Sequence, residues 1–174
     1  MTYLIYKNLA ELNELPRDEA MKAMLECCGS RRWAEAMADA RPFRTLEHLF
    51  YTAEETWFAL PTVDHLEAFA AHPKIGDQNP AASQNETSAS WSASEQSGVS
   101  DAGQSKLEEL AKINSLYHEK FGFIFIVCAT GKKADEMLAI AKARVRNSVE
   151  TELKIAAEEQ NKITRLRLER ILEK

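Results

Sequence analysis

The sequence of 174 residues is poor in the features that mark several classes of protein. Its three cysteines, Cys27, Cys28 and Cys128, are an odd number without the spacing of a redox motif or a zinc site. We therefore predict reduced thiols and a cytoplasmic protein. No apolar run approaches the length of a transmembrane helix, and the polar N-terminal stretch does not have the pattern of a signal peptide. Neither a membrane nor secretion is expected.

Charge and motif content exclude further classes. With 22 Lys and Arg against 27 Asp and Glu, the formal net charge of -5 gives no electrostatic reason to expect nucleic acid as a partner. The four histidines show no H-x-x-x-H spacing and no clustered carboxylates, so no metal is expected. A Gly-rich phosphate loop and a G-x-S-x-G elbow are also missing. Acid–base chemistry without a cofactor, or plain binding, is what remains.

What the sequence does contain is helical periodicity. It predicts an all-α, single-domain bundle over residues 1–174, with about seven to eight helices and one short extended segment, Phe123–Ala129. The stretch from Asp77 to Gly103 is polar, with few apolar residues, and we predict a loop that is either functional or disordered. Helices are expected from Pro16, after the caps Ser30 and Thr45, from Thr62 or Asp64, from Ala102 to Gly122, from Ala134 to Asn147, and after Ser148.

Two places could carry chemistry, one just before the polar stretch and one within it. His72 stands directly before Pro73, where the preceding helix has to end. A solvated helix end is the simpler interpretation, but an imidazole held in a fixed turn could also exchange a proton near neutral pH. Ser92 and Glu95 have the S-x-x-E spacing of a capping box, and with Gln96 they could instead belong to a ligand site.

Two further candidates lie in the second half of the chain. Arg144 and Arg146 near a helix C-terminus are ordinary surface residues unless one of them directs its fork-shaped guanidinium at a carboxylate. The segment FIFIVCA is more simply explained as core. Its backbone N–H and C=O groups nevertheless need partners, and a planar polar ligand could supply them.

Together these segments resemble a known family. The stretches RRWAEAMADARPF, AFAAHPKIGD, SASEQSGV, KFGFIFIVCATGK and ARVRNSVETEL, followed by ITRLRLERIL, occur in the order found in 2-oxo-4-hydroxy-4-carboxy-5-ureidoimidazoline (OHCU) decarboxylase. The resemblance covers nearly the whole chain. It implies an all-helical enzyme without cofactor or metal, usually a homodimer, whose small-molecule substrate OHCU is converted to (S)-allantoin at the end of urate oxidation.

The resemblance also assigns residues by their motifs. His72 matches the catalytic histidine, with Pro73 beside it in the site, and Glu95 matches the conserved acid. Arg144 matches the family's arginine on spacing alone, and Arg146 competes for that role. Further contacts with the substrate are implied for Ser92, Gln96, Phe123, Ile124, Phe125, Ile126 and Val127.

Two other functions remain open at this stage. The long polar stretch and the charged last helix would also suit a helical module that binds a ligand or a protein and has lost catalytic activity. A related hydrolase could act one step earlier, on the hydroxyisourate ring.

Overall fold

A computed structural model describes residues 8–76, 86–99 and 102–172. The regular elements of these residues are nine α-helices and one 3₁₀ helix, so the predicted all-α class is confirmed. The α-helices are α1 Leu9–Glu14, α2 Arg17–Cys27, α3 Arg31–Asp39, α4 Leu46–Ala59, α5 Thr62–Ala70, α6 Glu86–Glu95, α7 Gln104–Phe121, α8 Ala134–Arg144 and α9 Val149–Ile171, and the 3₁₀ helix is Ser97–Val99.

The chain divides into two compact units. One contains Met1–Ala68 together with Asn161–Lys174, and the other contains Phe69–Gln160. The single domain expected over residues 1–174 stays a prediction. No helix among the described residues is both long enough and apolar enough to cross a membrane.

In the first unit, the helices begin where their capping residues predict. Ser30 Oγ accepts a hydrogen bond from the backbone N–H of Trp33, and Thr45 Oγ1 accepts one from His48. Trp33 is fully buried, and its indole N–H donates to the carbonyl of Ala53 at 3.0 Å. These contacts join α3 to α4 and satisfy the polar atom of a large core side chain.

In the second unit, an aromatic cluster surrounds the predicted extended segment. Gly122 ends α7 with φ +76°, a conformation that glycine adopts without strain. The chain then runs without helical structure to Ala129, and almost all of its side chains are buried. Tyr117 packs against Phe121, Phe123 and Phe125 with ring centroids 4.5 to 5.8 Å apart. The prediction of a buried extended segment is confirmed.

The predicted loop between Asp77 and Gly103 is wrong in part. Residues 86–95 form α6 and Ser97–Val99 form a 3₁₀ helix, whereas residues 77–85 lie outside the described part of the chain. Among the α6 residues whose burial the structure describes, Trp91, Ser92 and Glu95 are buried. Because two of these three are polar, the helix shows no apolar stripe in sequence. Helix α1 was missed as well, since it is only 6 residues long and buries a single side chain.

Candidate active site

His72 lies in the short turn that follows α5. The helix ends at Ala70, and the backbone N–H of His72 donates to the carbonyl of Phe69 at 3.2 Å. The half-buried imidazole places Nε2 2.7 Å from the side-chain oxygen Oε1 of Gln160, a fully buried residue of α9. The ring is therefore held at Nε2.

The turn after His72 is fixed from two sides. Gly76 has φ +78°, and its backbone N–H donates to Oε1 of Gln96 at 3.1 Å. The carbonyl of Ile75 accepts a hydrogen bond from Nδ2 of the buried Asn114 at 2.8 Å. The segment after α6 is thus joined directly to the histidine turn.

Ser92 and Glu95 are buried residues of α6. The capping-box interpretation is wrong, because Ser92 lies within the helix rather than at its start. Burial raises the pKa of the Cys128 thiol, Lys132 lowers it, and the negative charges of Glu159 and Glu95 raise it further. The carboxylates of Glu95 and Glu159 therefore act electrostatically at the end of the extended segment.

The extended segment from Phe123 to Val127 forms a largely apolar wall in this unit. Ile124 is partly exposed, and the other four residues are buried. Beyond the wall, the backbone N–H of Cys128 donates to Glu159 Oε2 at 2.7 Å, and the Cys128 carbonyl accepts from Lys132 Nζ at 2.8 Å. The free backbone groups predicted for this segment are thus partly satisfied by side chains.

Arg144, the last residue of α8, is buried behind the wall. Its Nη1 donates to the carbonyl of Ile126 at 2.7 Å, and its guanidinium lies 4.8 Å from the centre of the Phe125 ring. Nε donates to the carboxylate of Glu152 at 2.7 Å. Arg146, in contrast, is exposed. Arg144 thus binds the backbone of the wall, and its guanidinium pairs with the buried carboxylate of Glu152.

Glu152 gathers hydrogen-bond donors around that pair. Its side chain is fully buried and accepts from Arg144, from the Tyr117 hydroxyl and from Asn147 Nδ2, the last at 2.8 Å. Burial raises the pKa of Tyr117, and the hydrogen bond to Glu152 raises it further, so the phenol stays protonated. Arg144, Tyr117 and Asn147 thus all donate hydrogen bonds to one buried carboxylate, and together they form a charged network.

Several residues of these contacts were not singled out from the sequence. Gln160, Glu159 and Glu152 lie on the helix predicted to be charged on its outside, and Asn114 lies within α7. A signal for two of them existed, because Glu152 and Gln160 fall in register with the buried Ala156 at four-residue spacing. Polar residues at core positions need partners.

Arg144 and Glu159 bind the backbone of the extended segment, and His72 is connected to it through Gln160, the neighbour of Glu159 on α9. Within the part of the chain that the structure describes, no group of three or more His, Cys, Asp or Glu side chains is arranged to hold a metal ion. The fold and the site together define an all-α protein in which a histidine ring is hydrogen-bonded, a carboxylate is buried, and an extended segment is bound by side chains.

Comparison with known proteins identifies the same family from the sequence and from the structure. The sequence model of the family described as OHCU decarboxylase matches residues 13–169. The uric acid degradation bifunctional protein TTL of Arabidopsis thaliana is 47% identical over 147 residues, which are 83% of this chain and 45% of that protein. The OHCU decarboxylase of Haloferax volcanii is 27% identical over 92% of this chain and 93% of its own length.

A solved structure, an OHCU decarboxylase crystallised in the presence of (S)-allantoin, superposes with a TM-score of 0.73. It shares 42% sequence identity and covers 84% of this chain and 94% of its own. The chain belongs to the OHCU decarboxylase family. The predicted family and its enzyme class, carboxy-lyase, are confirmed.

Proposed function

We propose that this chain decarboxylates OHCU to (S)-allantoin in the degradation of urate. The observation that carries the proposal is the joining of the HPKIG turn to the SASEQ segment through the hydrogen bond from Gly76 N–H to Gln96. That bond joins two motifs whose bonded residues are 20 positions apart in the sequence. The relatives supply the reaction, since proteins similar to this chain are named for it.

The chemistry of the substrate suits a site without an electron-accepting cofactor. OHCU carries its carboxylate on a ring carbon that also bears a hydroxyl and is bonded to the carbon of the ring C=N group. When the C–C bond to the carboxylate breaks, CO₂ leaves, the electron pair forms a C=C bond between these two ring carbons, the ring nitrogen takes up a proton, and loss of the hydroxyl proton gives an enolate. A proton then returns to carbon on one face, and this single-face delivery gives one enantiomer.

Each residue has a task in this scheme. His72 deprotonates the hydroxyl or orients the carboxylate, while Glu95 and Gln96 meet the N–H groups of the ureido substituent. His72 or Glu95 returns the proton to the enolate. Pro73, Ser92 and the wall from Phe123 to Val127 enclose the ring of the substrate.

Arg144 has two possible tasks in the proposal. The resemblance gives it a direct contact with a substrate oxygen. Its bonds to Ile126 and Glu152 support an indirect one, in which it holds the wall in place from behind. Substrate affinity separates the two, because a direct charge–oxygen contact contributes to binding and its loss raises KM.

The test adds the purified protein to freshly generated urate-oxidation product and follows the circular dichroism of (S)-allantoin. His72→Ala should lower the rate by at least about two orders of magnitude. His118→Ala, at an exposed histidine of α7, is the matched control and should keep the wild-type rate. No acceleration by the wild-type protein, or a racemic product, would contradict the proposal.

The same assay separates the alternatives. A hydrolase acting one step earlier would speed the decay of the hydroxyisourate intermediate instead. A binding module that has lost activity would bind (S)-allantoin or a partner without any rate effect, and its cellular role would survive His72→Ala.

The proposal includes a cytoplasmic homodimer with no nucleic-acid or membrane partner. The cytoplasmic location is supported by three cysteines that are all buried thiols. Large exposed apolar side chains on α4 and α5, among them Tyr51, Phe58 and Val63, support self-association. Light scattering on the purified protein would decide between monomer and dimer.

A further inference from the structure

The imidazole of His72 is held by an uncharged side chain. Nε2 lies 2.7 Å from Oε1 of Gln160, and an amide oxygen can only accept a hydrogen bond. With the Gln160 amide in this orientation, Nε2 carries the proton. In the neutral ring, Nδ1 is then the nitrogen with the lone pair.

Gln160 is well placed to impose this arrangement. Its side chain is fully buried on α9, where Ala156 and Ala157 are also buried. The adjacent Glu159 accepts the backbone N–H of Cys128 at the end of the wall. One turn of α9 thus holds both the histidine and the extended segment, so that a displacement of this turn would disturb both.

We propose that Gln160 is a positioning residue that fixes His72 as the Nε2–H tautomer and thereby presents Nδ1 for proton exchange with the substrate. The inference rests on the proposed function for its consequence in catalysis. The tautomer itself is a property of the free protein and can be measured without substrate.

An amide suits this task better than a carboxylate. A negative charge beside Nε2 would favour the imidazolium ion and reduce the fraction of histidine able to accept a proton at neutral pH. The amide oxygen orients the ring and selects its tautomer without adding a charge. Gln160 therefore keeps His72 available as a base.

The experiment uses the whole protein labelled with ¹⁵N-histidine. The ¹⁵N signals of the imidazole show which nitrogen carries hydrogen, and His72→Ala assigns the signal. The wild type should show Nε2–H. Gln160→Met keeps the volume and apolar packing but removes the acceptor, and it should give a mixture of tautomers and a kcat about 10- to 100-fold lower with little change in KM.

Two more variants complete the test. Gln160→Glu restores an acceptor and adds charge, so kcat should recover above the Gln160→Met value at high pH. The acidic limb of its kcat/KM profile should move up by about 1 to 3 pH units. Glu158→Ala, at an exposed position on the same helix, should change neither tautomer nor rate.

The outcomes are separable from those of the proposed function. A wild-type His72 protonated at Nδ1, or an unchanged tautomer and kcat in a folded Gln160→Met, would overturn the role of Gln160. A wild-type protein with Nε2–H but no decarboxylation would overturn the proposed function and leave the positioning of the ring supported.

Discussion

Replacing Glu152 by glutamine is the sharpest test of the buried network behind the wall. The side chain of Glu152 is 0% exposed and that of its partner Arg144 is 8% exposed. The substitution keeps the shape of the side chain and removes its charge. Arg144 would then be left as a buried cation without a counterion, while Tyr117 and Asn147 lose a charged acceptor.

The expected cost follows from the burial of the pair. Removing one partner of a buried ion pair costs about 3 to 5 kcal/mol, because the remaining charge stays desolvated and unpaired. At about 2 to 4 °C per kcal/mol for a protein of this size, the Tm should fall by about 6 to 20 °C. Urea denaturation followed by far-UV circular dichroism would measure the free energy of unfolding directly.

The control lies at the start of the same helix. Glu150 pairs with Lys154, and both side chains are more than 70% exposed, at 82% and 72%. Glu150→Gln should therefore change the free energy of unfolding by less than about 0.5 kcal/mol. A cost below about 1 kcal/mol for Glu152→Gln would refute the argument, since it would mean that the pair is accessible to water.

Two other features give predictions of their own. A Cβ at Gly98 would stand 2.1 Å from the backbone oxygen of Lys132, so Gly98→Ala should lower the free energy of unfolding, measured by urea denaturation, by about 1 to 3 kcal/mol. The control is Gly103→Ser, because a Cβ at Gly103 meets nothing within 4 Å. Equal stability of the two variants would contradict the close approach at Gly98. Burial raises the pKa of Cys28 from 9.0 to about 12, so its thiolate fraction at pH 8 should be about 1,000-fold lower than that of an ordinary thiol. Ellman's reagent should modify this thiol readily only in denaturant, and rapid reaction in the folded protein would speak against its burial.

Local sequence signals were enough to predict several helix boundaries. Ser30 and Thr45 each accept the backbone N–H that their positions predict, and Gly122 ends α7 in the left-handed conformation. These signals work because a cap is formed within three or four residues of chain. His72 was also located correctly after the end of a helix, since Pro73 determines that boundary locally.

Helix α6 was missed because its buried face is not apolar. Ser92 and Glu95 occupy inward positions beside Trp91, and a polarity pattern assigns such residues to solvent. The neighbours of such residues can lie far along the chain: the charge of Glu95 acts on the Cys128 thiol. No window around residue 92 contains that information.

The same reasoning explains why the HPKIG motif indicates His72 but not Gln160, the residue that holds its imidazole. Glu152 and Gln160 stand four residues to either side of the buried Ala156, so the helical period alone places them toward the interior. Burying a polar group without a partner is costly, so their positions imply partners but do not identify them. The partner of Gln160 is 88 residues away, and only the fold brings it within 2.7 Å. A polar residue on the buried face of a helix therefore indicates that it has a polar partner, and the structure then identifies the partner atom.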